Sequence, residues 1–405
     1  MNKIEKLLNE LCPNGVEFKS LGEVCEVVRG KGLSKSDVCD GVIPVILYGE
    51  LYTTYGDYIT KIQSFTDASK IQNSPKIIIN DLLLPISSTT KDAAIGKVSA
   101  YLLDDDCFLG SDAIILRHSQ NAGFLVHLLN SSWFNQLKMG CCRGTTINHL
   151  IVKEFLALKI PIPPLEIQEE IVKILDIFTE LEAELEAELE ARRRQYEYYR
   201  NKLLSFEYLK TNGGGYELKM LGEICERQKG INITAGEMEK IAIQNGDIRI
   251  FAGGKTFIDT KMELLQEQNI LKKTSIIVKS RGYVDFEYYA KPFTHKNELW
   301  SYSLNPDTKD INLKFIFYYL KNKVEYFQKI ARANAVKIPQ LAVADTDRFQ
   351  IPIPPLATQE KIVNILDQFH ALTTDLQSGI PAEIEARKKQ YEYYRNQLLT
   401  FKEAI

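Results

Sequence analysis

Two short stretches of hydroxyl and cationic side chains occupy matched places in the two halves of this 405-residue chain. Ser87-Ser88-Thr89-Thr90-Lys91 follows a strand-like run in the first half, and Lys279-Ser280-Arg281-Gly282-Tyr283 follows one in the second. Further along come Arg143-Gly144-Thr145-Thr146-Ile147-Asn148-His149 and Arg332-Ala333-Asn334-Ala335-Val336-Lys337. Lys and Arg fix phosphates or grip guanine, while Asn, Ser and Thr can read base edges in the major groove. Tyrosines lie close by, at Tyr48, Tyr52, Tyr55 and Tyr58 in the first half and at Tyr283, Tyr288 and Tyr289 in the second. The candidate nucleic-acid contacts in the first half are Ser87, Ser88, Thr89, Thr90, Lys91, Arg143, Thr145, Thr146 and Asn148. In the second half they are Lys255, Lys279, Ser280, Arg281, Tyr283, Arg332, Asn334 and Lys337. An ordinary surface turn explains any one stretch; the paired placement favours contact with a partner.

Catalytic constellations do not stand out. Gly253-Gly254-Lys255-Thr256 resembles the end of a phosphate-binding loop, but Arg249 stands where that loop requires glycine, so a turn is the better reading. No GxGxxG opens a helix after a strand, and Pro163-Pro164 lacks the preceding Asn or Asp of an adenine-methyltransferase motif. Asp104-Asp105-Asp106 reads as a solvated turn. Seven cysteines without a CxxC pair, and five histidines, argue against a zinc site and for buried thiols in a reducing cytoplasm. The first 158 residues hold 15 Lys and Arg against 17 Asp and Glu, and residues 215–350 hold 21 against 17. This balance neither supports nor excludes DNA, because phosphate attraction is local and screened beyond about 10 Å. No apolar run approaches the roughly 20 residues that span a bilayer.

The elements that position these loops come in duplicate. EFKSLGEVCE (17–26) returns as ELKMLGEICE (217–226), IPIPPL at 160–165 returns at 351–356, and QYEYYRN at 195–201 returns at 390–396. After each IPIPPL a helix is expected. In the first copy the apolar stripe is Ile171, Ile174, Phe178, Leu181, Leu185, Leu189, Tyr196, Tyr199 and Leu203, giving a helix from Gln168 to Phe206. In the second copy Gly379 and Pro381 should kink or break it. The two helices can pair antiparallel as a coiled coil with pseudo-two-fold symmetry, or form separate hairpins. In QYEYYRN, Tyr198, Arg200, Tyr393 and Arg395 fall off the stripe and are candidate partner contacts. Strands are expected at 44–51, 76–86, 113–116, 248–252, 274–279 and 299–304, and helices at 123–138 and 313–330. The fold class is α+β: variable α/β domains at 1–158 and 216–350, with helical blocks at 159–215, which includes a TNGGG joint, and 351–405.

The doubled IPIPPL…QE.IV.ILD.F…QYEYYRN..L..F block and the LGE opening of each half make the whole chain resemble the specificity subunits of type I restriction–modification systems. The resemblance implies two target-recognition domains, each reading half of a bipartite double-stranded DNA sequence. It implies long helices that space them and dock two modification subunits, which bring S-adenosylmethionine and methylate adenine N6. Restriction subunits would add ATP- and Mg-dependent translocation and cleavage. The chain itself would hold no cofactor or metal, touch no membrane and perform no catalysis. Two alternatives stay open: a self-contained methyltransferase or nuclease, and a coiled-coil adaptor without DNA readout.

The stretch TELEAELEAELEAR at 179–192 repeats every four residues, and it yields a test. Four helical residues add about 6 Å and turn one end by about 40°, close to the roughly 35° twist of one base pair. Deleting Glu182 to Leu185 is expected to change the unread spacing by about one base pair while leaving both half-sites intact. Methylome sequencing checks this, and altered half-site bases at unchanged spacing contradict it.

Overall fold

In both units a helix of one repeated block packs against a helix of the other. A computed structural model describes residues 2–88, 95–144, 148–333, 335, 337–375 and 377–404, and these divide into two compact units. The first takes in residues up to 186 and from 383 onward, the second residues 187–382. In the first unit Phe18–Ser20 pairs antiparallel with Lys159–Pro161, Lys19 opposite Ile160. In the second, Glu217–Met220 pairs with Gln350–Ile353, Lys219 opposite Ile351. A two-stranded ribbon has only edges, so it tolerates the prolines that a central strand would reject. The further prolines of each block end the strand, and helices begin at Leu165 and Leu356.

Each unit is built around one main sheet. In the first, β1 (Glu26–Arg29), β2 (Tyr58–Ile59), β3 (Leu82–Pro85), β5 (Ser99–Tyr101) and β6 (Ala113–Arg117) lie in the order β1-β6-β3-β5-β2. Beyond β3 the short β4 (Ser87–Ser88) joins β7 (Cys142–Arg143) and β8 (Asn148–Leu150) in a separate three-stranded sheet. Helices α1 (Ala122–Leu129) and α2 (Ser132–Gly140) and the short α3 (Val152–Leu156) accompany them. In the second unit β9 (Cys225–Lys229), β10 (Ser275–Lys279), β11 (Asp285–Tyr289) and β12 (Trp300–Leu304) order as β9-β12-β10-β11. Helices α4 (Leu313–Lys321), α5 (Val324–Ala333), α6 (Val343–Asp347) and α7 (Leu356–Thr374) follow.

Three sequence expectations shift. The single helices expected at 123–138 and 313–330 are each two, because Asn130 and Asn322 end a helix and Ser131 caps the next by accepting from the Phe134 N–H. The strand expected over 44–51 stops at Ile46, where the Glu50 carboxylate takes the Leu47 N–H at 2.7 Å and starts a helical turn. The run 76–86 is divided by Asn80 at φ +70°.

The long helix Leu165–Leu203 packs with a different helix in each unit. In the first unit Phe178 lies 5.3 Å from the Tyr394 ring and 6.3 Å from Tyr391, while Lys388 meets Glu182 and Glu186 at 3.3 and 3.2 Å. Numbers rise on one helix as they fall on the other, so the pairing is antiparallel. In the second unit Tyr196 and Tyr199 pack on Phe369, and Leu203 shares a core with Ile362 and Leu366, again antiparallel. The break expected at Gly379 is present. Helix α7 ends at Thr374, the C-terminal helix starts at Ile380, and a Cβ at Gly379 would sit 2.6 Å from the Ala371 carbonyl oxygen. Leu181 departs from the expected stripe and is exposed.

Variable domain and helix are joined by a lock that appears twice, every pair of residues 191 apart. Fully buried Gln168 accepts from the Asn121 N–H at 3.0 Å and donates to the Pro163 carbonyl at 2.7 Å. Fully buried Gln359 accepts from the Asn312 N–H at 2.8 Å and donates to the Pro354 carbonyl at 2.7 Å. Asn121 and Asn312 in turn cap α1 and α4. Two turns further on, Asp176 accepts from the Tyr58 hydroxyl at 2.7 Å and lies 2.8 Å from His127 Nε2, whose Nδ1 is 2.9 Å from the Tyr391 hydroxyl. In the second unit Asp367 takes the Tyr318 hydroxyl and, at 2.7 Å, the Lys314 ammonium. Burial pushes the Asp176 carboxyl up, but the His127 and Tyr58 bonds outweigh it and hold it below the usual range.

Truncating the lock strands a buried N–H and a buried carbonyl, each costing roughly 1–3 kcal/mol. Gln168→Ala is expected to destabilise the first unit, and Gln359→Ala the second, by about 2–4 kcal/mol. Hydrogen exchange resolved by peptide checks that each loss is confined to its own unit.

Candidate nucleic-acid interface

The strand registers bring the separately noted loops together. In the first unit Arg29 of β1 lies opposite Ile114, and Ile114 opposite Leu84 of β3. The end of β1, the start of β6 and the end of β3 therefore share one end of the sheet. There β4 leaves β3, and Ser87 and Ser88 pair with His149 and Asn148 of β8, while His149 pairs on its other side with Arg143. The second unit repeats the plan: Lys229 lies opposite Trp300, and Trp300 opposite Val278. Beyond β10, Arg281 bridges Gln340, the Gly282 N–H donates to the Pro339 carbonyl at 2.8 Å, and the Leu341 N–H donates to the Ser280 carbonyl at 2.9 Å. In both units the segment leaving the central strand meets the segment that follows the two helices.

The side chains sort into two groups. Arg281, Tyr283, Arg332 and Lys337 are exposed at the sheet end of the second unit, with no ion pair among the described residues. Tyr283 is 64% exposed, on a turn that Gly282 makes possible at φ +79°. Lys255 is exposed on a separate turn between Ile248–Phe251 and Phe257–Thr260. In the first unit Arg143 is exposed but paired with Glu154 at 3.0 Å, and Asn148 is half-buried.

Four expected surface donors point inward instead. Ser87 is buried, with its hydroxyl 3.2 Å from Asp112 and 2.9 Å from His149 Nδ1, and Ser88 is buried beside it. Lys279 is buried against the Phe251 ring and paired with Glu287 at 2.6 Å, and Ser280 donates to the Glu298 carbonyl. Each closes the sheet end from inside, where an unpaired polar group would be costly. Thr89, Thr90, Lys91, Thr145, Thr146 and Asn334 lie outside the described residues. Two of the nearby tyrosines of the first unit also turn inward, Tyr52 to the Ser87 carbonyl and Tyr58 to Asp176. Among the partner candidates Tyr198 and Tyr393 are 58% and 60% exposed. Arg200 and Arg395 are not outward: Arg200 donates to Asn322 at 3.0 Å, and Arg395 folds over the Tyr391 ring and bonds Glu392.

Residues 13–191 and 214–386 match the family described as the type I restriction modification DNA specificity domain. The chain belongs to that family. It is 30% identical to the type I restriction enzyme EcoR124I/EcoR124II specificity subunit of Escherichia coli, over 99% of this chain and 97% of that one. It is also 30% identical to a putative type I restriction enzyme specificity subunit of Haemophilus influenzae, over 98% of each. The solved S subunit of a type I restriction–modification system from M. genitalium superposes with a TM-score of 0.60 at 17% identity, covering 95% of this chain and 96% of that one. That likeness speaks for the fold. As a specificity subunit the chain carries two target-recognition domains and is not itself an enzyme.

Sequence reasoning missed several residues at this sheet end of the first unit. Arg29, Lys31 and Lys153 are exposed there, and the signal was available: Arg29-Gly30 returns as Lys229-Gly230 in the repeated frame. Lys138 was also missed. It is 1% exposed, and its ammonium donates to the Gly96 and Leu129 carbonyls at 2.7 and 3.0 Å, fastening α2 to the chain that enters β5.

Desolvation pulls the Lys138 amine down to about 7. The unfolded chain holds that proton up to about pH 10.4, so stability is expected to rise with pH across this window, by roughly 1–3 kcal/mol between pH 7 and 9. Lys138→Met removes the titration and flattens the rise. Urea unfolding at stepped pH checks it.

Proposed function

We propose that the chain reads a bipartite, asymmetric sequence in double-stranded DNA, one half-site per target-recognition domain, and holds two adenine-N6 methyltransferase subunits in register with it. The observation that carries this reading is the repeated convergence of two loop segments at one end of each main sheet. A rigid sheet that presents loops at one end is a scaffold on which contacts vary without rebuilding the core. Arg281, Tyr283, Arg332 and Lys337 serve the second domain, with Lys255 set apart on its own turn. Arg143 and Asn148 serve the first, together with Thr89, Thr90, Lys91, Thr145 and Thr146; Asn334 belongs with the second. Phosphate contacts set register, and a few base-edge contacts set identity.

Each unit is assigned its own docking surface for a modification subunit, Tyr393 with Leu181 in the first and Tyr198 with Leu372 in the second. Leu181 and Leu372 are repeat equivalents, 39% and 38% exposed. Exposed aromatics of this kind are enriched where protein surfaces associate. S-adenosylmethionine, and ATP with Mg, belong to the partner subunits of the cytoplasmic complex. The naming of the E. coli relative as part of a type I restriction enzyme supports this assembly, as does a solved chain whose study concerns complex assembly of the type I system.

Single-molecule methylome sequencing of a naive host expressing the chain with its methyltransferase subunit tests the reading. A split, asymmetric motif methylated on both strands, absent without the chain, is expected. Methylation that persists without the chain favours an assembly adaptor instead. Arg281→Ala or Tyr283→Ala is expected to relax one base position in one half-site by about 1–3 kcal/mol and to leave the other half-site unchanged.

A further inference from the structure

Beside the recognition end of the first domain lies a groove of about 740 Å³ with three cations and, among the described residues, no carboxylate on its wall. Arg29 closes β1, Lys31 follows one residue past the turn, and Lys153 stands on α3, three residues after β8. All three are exposed, and none has a hydrogen bond or ion pair from its side chain to another described residue. Gln72 and Asn73 add exposed amides to the lining.

The cations are held on a fixed backbone. The Gly30 N–H donates to the Ala113 carbonyl at 2.9 Å, and a Cβ on Gly30 would fall 1.9 Å from the Gly110 carbonyl oxygen. The Lys31 carbonyl accepts from the Ser74 hydroxyl at 2.6 Å. The second domain repeats the close approach: a Cβ on Gly230 would fall 2.2 Å from the His295 carbonyl oxygen, and exposed Lys229 precedes it without a side-chain partner among the described residues. Unpaired cations on a rigid turn, at the same end of the sheet as the recognition loops, match a polyanion and not a small ligand. The three cations supply charge to a phosphate backbone, and the flanking amides can donate to its oxygens as well.

We propose that the groove formed by Arg29, Lys31 and Lys153 holds the sugar–phosphate backbone of the bound duplex beside the bases that the first domain reads. The assignment rests on the DNA-reading function above, and adds a sequence-independent contact to it. The three residues set register and affinity, and leave the identity of the target to the neighbouring loops.

The test is the salt dependence of binding by the chain assembled with its methyltransferase subunits, on a duplex carrying its own methylated motif. R29Q/K31Q/K153Q is expected to reduce the slope of log affinity against log salt by roughly 2–3, which shrinks the affinity lost between 50 and 200 mM salt by about 40-fold. The methylome motif of this variant keeps every base and its spacing. R29K/K31R/K153R retains the wild-type slope. An unchanged slope in the glutamine variant overturns the groove assignment alone, provided the wild type binds. A slope lost equally in the charge-conserving variant, or a changed motif, also overturns it, since shape or base reading would then be responsible. A wild-type complex that does not bind DNA removes the recognition function itself, and the groove with it.

Discussion

One buried side-chain amide per unit, Gln168 and Gln359, ties the variable domain to the helix that carries it. Each stands inside an apolar stripe, where a polar group persists only if it is fully bonded. Each satisfies a proline carbonyl behind it and the N–H of a capping asparagine in front. The proline block, the helix start and the first helix of the recognition domain are thereby fixed in one geometry. The orientation of the loops at the sheet end follows from that geometry, because α1 and α4 pack directly beneath their sheets.

The two units reach the same arrangement with different chemistry two turns along. In the first, Asp176 meets a buried imidazole and a phenol; in the second, Asp367 meets an ammonium and a phenol. The carboxylate is constant and its partners differ. The constant positions belong to the helical block, and the exchanged ones to the variable domain. Position 127 in the first unit and position 318 in the second correspond by repeat number, yet one is histidine and the other tyrosine. The interface thus tolerates sequence divergence on one side as long as a hydrogen-bond donor is returned to the same acid.

Much of the scaffold was legible in the sequence because repetition and periodicity are local signals. Pro and Gly placed the ends of the helical blocks, and Gly379 placed the break. The glutamine lock was visible as QE in both blocks, but its role was not, since the asparagine that it bonds lies 47 residues away in each case. The recognition surface was harder. Ser87, Ser88, Lys279 and Ser280 have the residue types of a contact loop, yet the pairing of each stretch with the segment that follows the two helices buries them. Arg29 carries a signal in the repeat, but Lys153 is unremarkable as sequence, and the two become a pair only when strand register and α3 bring them to one groove. Burial of donors and convergence of distant cations are tertiary facts, outside the reach of residue type.

The first unit is discontinuous in the chain. Its helix pairing needs residues 383–398, and the Val16 backbone bonds to Lys402 and Ala404, while the second unit is one continuous stretch. On the ribosome this sets an order of events. The second recognition domain can close around its own helices as soon as residue 382 has emerged, whereas the first waits with the Phe178 ring and the Nδ1 of His127 unpartnered until the last twenty or so residues of this sequence arrive. A chain arrested shortly before that point would carry one finished domain and one with an open greasy flank. Chaperone capture and proteolysis of incomplete chains would therefore fall on the half that was made first.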